Sequence, residues 1–462
     1  MSTTTFTAGK LKFELSLGSA AKATPRDPDA PLHILIMGDF CGESRLAQAA
    51  RKPLRIDLDN FDQVMAVLQP RCRVLLRPSP ADLCFSSLDD FHPDRILPKI
   101  APALGSAPVL DPAEDNQDLL ARLMGNPPPA SPPTPSSPPS KLDIGALIRN
   151  AVGSDAVLPN VAEQAARAQS EINQTGALRT ILHDPAFQTL EANWRGVDLL
   201  IRTFGGEDQI ALSIVDYDLA RFLTEINTGD DAQATPLFQL LRKRSSDERF
   251  ALILALYTFE PAPSHIDALM RATKICAAQQ AIFISAASPA FVGSKSFSTG
   301  VECAALPPET QALWDKVRAM AEANRLALAL PRFLLRQPYG AASDAIESFP
   351  FEELTPDLPH EHYLWGNSAI LCGHAIAEAF LAEGWDASTA GFAEVGDLPF
   401  HRFKDHGETK LKPCAETWMS DHISEQLADR GFIPVQSIKG RDAVRLAGLR
   451  SISSTGDPLG LK

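Results

Sequence analysis

The sequence has few of the patterns on which disulfide frameworks, zinc sites and nucleotide sites are built. Its seven cysteines are scattered, odd in number and nowhere spaced as C-x-x-C, so it predicts neither a disulfide framework nor a zinc site. Gly38 and Gly42 follow an apolar run but lack both the G-x-G-x-x-G spacing and the Gly-Lys-Ser/Thr that would grip phosphate. We expect a plain strand-to-loop turn there and no cofactor.

Long apolar runs and an excess of positive charge are also missing. No apolar run reaches the roughly 18 residues of a membrane span, and the first residues lack the basic and apolar regions of a signal peptide. The 43 Lys and Arg residues are outnumbered by 57 Asp and Glu residues, and the resulting net charge of −14 repels phosphate backbones. We expect a cytoplasmic protein with no membrane insertion and no nucleic-acid partner.

Side-chain patterns typical of catalysis are scarce. There is no G-x-S-x-G motif and no cysteine with a sequence-linked histidine. Adjacent carboxylates such as Glu352-Glu353 point to different faces of a strand or helix, so adjacency does not make a catalytic dyad. Residues 360–362 (HEH) offer two imidazoles without a further ligand cluster nearby, which favours a solvated loop. The sequence predicts no catalytic and no metal-binding residue.

A proline- and serine-rich tract divides the chain. Residues 127–139 (PPPASPPTPSSPP) lack apolar side chains that could build a core, and proline lacks backbone donors, so the tract is typical of an extended spacer. A docking peptide for an SH3-like partner is the rarer alternative. We predict a small domain over residues 1–126, a linker over 127–140 and a large domain over 141–462.

The small domain opens with a strictly alternating stretch over residues 10–17. Leu11, Phe13, Leu15 and Leu17 share one face, which predicts a strand with one wet face. Such a strand could pair with a neighbouring molecule or form an ordinary edge strand of its own sheet, and both readings stay open. A buried strand near residues 32–37, a helix stopped by Pro70 and two further strands predict a compact α/β domain.

The large domain contains the strongest helix signal in the chain. Asp184-Pro185 supplies an N-cap and a first helical position, and Gly205-Gly206 a stop. Between them, one apolar stripe recurs in steps of three and four residues: Phe187, Leu190, Trp194, Val197, Ile201 and Phe204. Strand-like and helix-like stretches then alternate, which predicts an α/β fold with a parallel or mixed sheet.

Several stretches resemble the two subunits of the type VI secretion contractile sheath. The first domain is similar to the small subunit in three stretches, HILIMGDFCGESR (33–45), RKPLRIDLDNFDQVMAVLQPR (51–71) and DLCFSSLDDFHPDRI (82–96). The second is similar to the large subunit in LHDPAFQTLEANWRGVDLLI (182–201), LALALPRFLLRQPYG (326–340), ESFPFEE (347–353), HYLWGNSA (362–369) and ADRGFIPV (428–435). The L-E-x-x-W-R-G and R-x-P-Y-G stretches are the most specific in combination.

The resemblance implies a structural, non-enzymatic protomer of a helical tube that surrounds an inner tube and contracts by repacking interfaces. Implied partners are copies of itself or conventional sheath subunits, the inner tube protein and baseplate components. A recycling AAA+ unfoldase is a further candidate, although residues 142–151 match its usual recognition helix poorly. Exchanged strands join such protomers, which gives Leu11, Phe13, Leu15 and Leu17 a candidate contact role.

Three polar residues of the large domain are further candidates for protomer contacts. Arg195 lies beside the apolar stripe, and Arg336 and Tyr339 lie in a proline-glycine turn. They could bridge parts of one chain or two protomers, and the bridge within one chain is the slightly favoured alternative.

The sequence departs from the sheath pattern in two ways. The two subunits are normally separate chains, whereas the linker here joins them and fixes one-to-one stoichiometry. Similarity also fades after Val435, and the chain stops at Lys462 without the C-terminal segment typical of the family. An accessory cap or baseplate-proximal component that does not polymerise alone is therefore the alternative. A nucleotide-dependent α/β enzyme is a third, from another class.

Overall fold

The structure is a computed structural model that describes residues 27–43, 52–104, 161–229, 231–242 and 248–461, and the backbone of 5–8 and 11–14. Two of the candidate contact residues, Leu15 and Leu17, lie outside the described residues. The predicted linker over 127–140 and the stretch 142–151 also lie outside them, so the predicted domain boundaries stay predictions.

The described strands fall into one large sheet and four small ones. Labelled in chain order, they are β1 (Thr5–Ala8), β2 (Leu11–Glu14), β3 (Leu32–Gly38), β4 (Leu54–Arg55), β5 (Arg71–Val74), β6 (Ala81–Cys84), β7 (Ile210–Asp216), β8 (Leu252–Phe259), β9 (Ile282–Ala287), β10 (Leu326–Leu330), β11 (Phe333–Leu334), β12 (Trp365–Gly366), β13 (Ala393–Val395), β14 (His401–Asp405), β15 (Glu408–Lys412), β16 (Phe432–Ser437) and β17 (Val444–Leu446).

The described residues also form α-helices, labelled in chain order. They are α1 (Phe61–Leu68), α2 (Pro93–Leu104), α3 (Val161–Leu182), α4 (Pro185–Phe204), α5 (Leu219–Ile226), α6 (Pro236–Leu241), α7 (Pro263–Ala278), α8 (Pro308–Arg318), α9 (Ala369–Glu383) and α10 (Asp421–Asp429). None of the helices in the described ranges is both long and apolar enough to cross a membrane.

The large sheet is mixed, as predicted. Its nine strands lie in the order β13-β17-β16-β10-β9-β8-β3-β7-β4. The six central strands from β16 to β7 run parallel, and the strands at both edges are antiparallel. In chain order, β3 is followed by β7 on one side and by β8 on the other, which makes the sheet doubly wound with its switch point between β3 and β8.

The interior strand β3 comes from the small-subunit-like segment, although its neighbours β7 and β8 come from the large-subunit-like segment. Ile34 pairs in register with Leu212 of β7 and Leu252 of β8. Five of the seven β3 residues are fully buried: Leu32, Ile34, Leu35, Ile36 and Met37. Sequence reasoning treats the first segment as a compact domain of its own. The structure instead places its buried strand inside the sheet of the second, because a strand buried on both faces needs neighbours on both edges.

Helix α4 forms where the sequence predicts it. The Asp184 carboxylate accepts hydrogen bonds from the backbone N–H groups of Ala186 and Phe187, Pro185 occupies the first turn, and Gly205 is the C-cap. All six residues of the predicted apolar stripe are buried. The stripe packs in the same hydrophobic core as β3, so α4 lies across the junction of the two segments.

The predicted N-terminal strand is present over β2. It pairs antiparallel with β1 of the same chain, and Leu11 lies opposite Ala8 while Phe13 lies opposite Phe6. Within the described residues this two-stranded sheet is not joined to another sheet. A role for Leu11 and Phe13 in contacts between protomers stays a prediction.

Candidate functional site

A buried network of two arginines, two glutamates and a tyrosine lies where α4 meets the turn that follows β11. The Arg336 guanidinium bonds Glu191 on α4 at 2.8 Å and Glu353 at 2.7 Å. Arg195, one helical turn after Glu191, bonds the same carboxylate at 2.7 Å and donates to the Tyr339 hydroxyl at 3.2 Å. The structure thus brings the predicted residues Arg195, Arg336 and Tyr339 together in one network within the chain.

The network is balanced in charge, and its carboxylates are buried. The side chains of Glu191 and Glu353 are at most 1% exposed and that of Arg336 is 9% exposed. Burial alone would raise the pKa of Glu191, but the guanidinium groups of Arg336 and Arg195 hold that pKa below its ordinary value. Glu191 and Glu353 in turn raise the pKa of Arg336 despite its burial. Both charges therefore persist across the physiological pH range.

Tyr339 fixes the turn on which Arg336 lies. Its ring packs 4.2 Å from the Arg336 guanidinium carbon, and its backbone N–H donates to Glu353 at 2.7 Å. Burial raises the pKa of the Tyr339 hydroxyl to about 12, so it stays protonated and able to donate. A Cβ at the neighbouring Gly340 would lie 2.2 Å from a carboxylate oxygen of Glu352, so a larger residue there would require the exposed Glu352 side chain to move. The R-x-P-Y-G stretch therefore serves as a rigid support for the buried charges.

Polar contacts also tie the small-subunit-like segment to α4 around the same place. Asn193 donates to the carbonyl of Asp39 at 2.9 Å, and the Trp194 indole N–H donates to the carbonyl of Phe40 at 3.1 Å. The Trp194 ring makes edge contacts with Phe40 and with Phe61 of α1. We call this junction of β3, α1 and α4 the seam. Trp194 therefore does more than fill the core, because it hydrogen-bonds one segment to the other.

A second junction links α2 to the large-subunit-like segment. The Asp94 carboxylate accepts hydrogen bonds from the backbone N–H groups of Glu347 and Ser348, at 2.9 and 3.2 Å. Burial on its own would raise the pKa of Asp94, but these donors lower it below its usual range. His92, just before α2, packs edge-on against the Tyr339 ring at 5.0 Å. The buried charge network thus touches the small-subunit-like segment as well.

The prediction of a solvated loop over residues 360–362 holds for Glu361, whose side chain is 64% exposed, but both histidines are half-buried and have partners. His360 bonds Glu416 at 2.9 Å and accepts from Lys412 at 2.9 Å, and His362 stacks on His183 at 3.7 Å between ring centroids. These partners lie far along the chain, and the local sequence carries no sign of them. Glu361 joins through Arg332, which also bonds Glu416.

This cluster has the spacing of metal ligands but the wrong charge. Ligand atoms of His360, Glu361 and Glu416 lie within 4.8 Å of one another. The Arg332 guanidinium already pairs with both carboxylates, and the Lys412 ammonium lies on the remaining nitrogen of His360. The Arg332 guanidinium and the Lys412 ammonium would repel a metal ion placed among these ligands. The cluster therefore fits an internal network of ion pairs better than a metal centre.

Side-chain hydrogen bonds already occupy backbone carbonyls at the switch point of the sheet. Doubly wound sheets bind ligands outside the carboxyl ends of their strands at this point. Here Asn193 bonds the carbonyl of Asp39 after β3, and Asn367 bonds the carbonyl of Tyr257 on β8 at 2.7 Å. Asp39 and Asp216 add carboxylates that would repel a phosphate. The arrangement does not favour a nucleotide-dependent enzyme.

Sequence reasoning found the arginines and the tyrosine of the network but missed their carboxylate partners. Glu191 and Arg195 are spaced four residues apart on a helix, so their pairing was readable from the L-E-x-x-W-R-G stretch. In the sequence, Glu353 stands out only as part of an adjacent pair of glutamates. In the structure Glu352 turns to the backbone of Ala341 while Glu353 turns to Arg336, as expected for neighbours on opposite sides.

Comparisons with known proteins agree with this architecture. Residues 167–453 match the VipB family, described as EvpB/VC_A0108, tail sheath N-terminal domain. Residues 10–126 match a second family, described as Type VI secretion system, VipA, VC_A0107 or Hcp2. The chain is 30% identical over 299 residues to the type VI secretion system sheath protein TssC1 of Pseudomonas aeruginosa.

The match to TssC1 covers 61% of this chain and 60% of that protein. The VipB match alone covers more than half of the chain, and the VipA match precedes it on the same polypeptide. The chain therefore belongs to the VipB tail sheath family and carries a VipA segment fused ahead of its VipB segment.

Proposed function

We propose that this chain is a structural subunit of a type VI secretion contractile sheath, in which small and large subunits are one polypeptide. The observation that carries the proposal is the position of β3: the VipA segment supplies an interior strand of the large sheet, with strands of the VipB segment paired to both of its edges. A protomer so built keeps both subunits at one-to-one stoichiometry. Its work is the repacking of protein interfaces, with no bond chemistry.

The same proposal includes the partners and the place of assembly. Copies of this chain or conventional sheath subunits would form the tube through non-closing, head-to-tail contacts, the kind that generate helices. The inner tube protein, the baseplate and a recycling AAA+ unfoldase would be further partners in the cytoplasm. The division into residues 1–126, 127–140 and 141–462 belongs to the proposal, supported by the gap between the two matched ranges.

The candidate contact residues divide into two groups under this proposal. Leu11 and Phe13 lie on β2, whose hairpin has strand edges without a partner in the described part of the chain. They are the better candidates for strand exchange, together with Leu15 and Leu17. Arg195, Arg336 and Tyr339 bond within the chain, so we propose that they act on assembly by holding the VipA and VipB segments in a fixed relation.

Negative-stain electron microscopy of the purified chain, alone and mixed with conventional sheath subunits, tests the proposal. Long hollow tubes from the chain alone are the expected result. Particles that bind only at the ends of conventional tubes would instead support the alternative hypothesis of an accessory cap that does not polymerise alone. A monodisperse monomer that neither assembles nor joins a tube would contradict both.

A further inference from the structure

A groove of about 660 Å³ opens between the β14–β15 hairpin and the segment that follows the buried charge network. Tyr339 and Pro338 line it on one side, and Arg402, Phe403 and Lys404 of β14 line it on the other. It is separate from the seam and from the switch-point crevice, and it has no role in the proposed sheath assembly.

The groove is positively charged, although the whole chain carries a net charge of −14. Arg402 and Lys404 are exposed on the hairpin, and no ion pair joins either of them to a carboxylate of the described residues. Arg402 rests only on the Phe400 ring at 5.1 Å. Arg179 adds a third cation on the far side, where it donates to the carbonyl of Glu352. A cationic surface on an acidic protein favours an acidic partner.

One lining carboxylate opposes this charge, but it is engaged by the groove wall. Glu352 turns one oxygen to the backbone N–H of Ala341 at 3.0 Å. The remaining lining includes apolar surface from Leu354, Pro356 and Leu358. The groove therefore combines an apolar floor with the unpaired cations Arg402 and Lys404 at its rim.

The hairpin wall is held in place before any partner arrives. Lys412 at the end of β15 lies over the rings of Tyr363 and Trp365, at 5.5 and 5.3 Å, and bonds His360. The Tyr363 hydroxyl bonds His401 at the start of β14 at 3.0 Å. Anchors at the base of both strands make the groove preformed, which lowers the entropic cost of binding.

We propose that this groove docks an extended segment of another protein chain in which carboxylates alternate with apolar side chains, with Arg402 and Lys404 as the paired cations. Alternation suits an extended chain, since successive side chains point to opposite sides and can meet the cationic rim and the apolar floor separately. Phosphate-rich partners are disfavoured by the overall charge of the chain.

Fluorescence polarisation on the full-length chain tests this, with a short labelled peptide of alternating glutamate and leucine as the probe. We expect saturable binding that weakens as salt is raised. The double variant Arg402→Glu with Lys404→Glu should weaken binding about tenfold, the scale of two exposed charge pairs reversed in sign. The matched control, Lys295→Glu with Lys439→Glu, makes the same charge change at exposed lysines outside the groove and should leave the affinity unchanged.

Several results would overturn the proposal. These are equal weakening in both double variants, equal affinity for a lysine–leucine peptide, or preferred binding of a single-stranded oligonucleotide. Because peptide binding is measured on unassembled protein, it fails or succeeds independently of tube formation. Circular dichroism of both double variants confirms that a loss of binding is not a loss of fold.

Discussion

Glu191 is the residue on which the buried network depends most, since it pairs with both arginines and is fully buried. Removing one partner of a buried ion pair leaves an uncompensated charge, which is far more costly than breaking an exposed pair. The contrast can be measured within α4 itself. Arg202 pairs with Asp198 at 2.8 Å on the same helix, but the Arg202 side chain is 70% exposed.

We predict that Arg336→Met lowers the free energy of unfolding by about 3–5 kcal/mol, because Glu191 and Glu353 lose their shared counter-charge in a dry site. Arg202→Ala should change it by less than about 1 kcal/mol. Urea unfolding monitored by circular dichroism gives both values. Equal losses in the two variants would show that the network is not buried in solution.

Two buried histidines predict acid sensitivity. Burial, then the nearby charges of His362 and Arg336, lowers the pKa of His183 to about 3, and burial lowers the pKa of His374 to about 4. In the unfolded chain both take up protons near pH 6.5. Between the folded and unfolded pKa values of each histidine, the unfolded state binds more protons than the folded state. The free energy of unfolding therefore falls as pH falls, by about 2 kcal/mol per histidine between neutral pH and pH 5.

Comparison of wild type with His374→Gln isolates one of these protons. The variant should lose about 2 kcal/mol less than the wild type between pH 7 and pH 5. Urea unfolding at both pH values measures the difference. An identical loss in both proteins would mean that His374 is protonated in the native state at pH 5.

At the scale of elements, α9 approaches the large sheet closely at a glycine. A Cβ on Gly373 of α9 would lie 2.4 Å from the Leu254 side chain on β8, whereas a Cβ on Gly176 of α3 would meet nothing within 4 Å. Both glycines are helical, so intrinsic propensity favours alanine at both by about 1 kcal/mol. Packing therefore decides whether alanine at position 373 stabilises or destabilises the protein.

We predict that Gly373→Ala destabilises the protein by about 1–3 kcal/mol, since α9 must move away from β8. Gly176→Ala should be neutral or stabilising by up to about 1 kcal/mol. Thermal unfolding of the two variants and the wild type measures both changes in stability. A stabilising Gly373→Ala would show that α9 packs less closely than described.

The elements themselves were readable from the sequence where the signals are local. The cap at Asp184-Pro185 and the stripe of α4 depend only on nearby residues, and both are present. The α/β class followed from the alternation of strand-like and helix-like stretches. The pairing of β3 with β7 and β8 joins residues far apart along the chain, and no periodicity encodes such a partner.

The same limit applies to the candidate site. Arg336 and Tyr339 were recognised because charge and aromaticity stand out in a proline-glycine turn. Their burial, and the roles of Glu353 and His360, depend on tertiary neighbours on other elements. Long-range partners of this kind become visible only once the sheet order is known.

On the scale of the whole molecule, the chain joins two family segments through one sheet rather than through two independent cores. The buried β3 residues alone would contribute on the order of 10 kcal/mol, since burying one large apolar side chain contributes about 2 kcal/mol. The seam bonds of Asn193 and Trp194 add polar contacts between the same segments. The second segment without the first would expose both inner edges of β7 and β8.

We predict that the two segments form one folded unit whose integrity does not depend on the covalent link between them. A protease site inserted between Ser136 and Ser137 allows the purified chain to be cut after folding. Size-exclusion chromatography of the cut protein should show both fragments eluting together at one-to-one ratio, separating only in denaturant. Fragments that elute separately under native conditions, with the larger one still folded, would contradict the account.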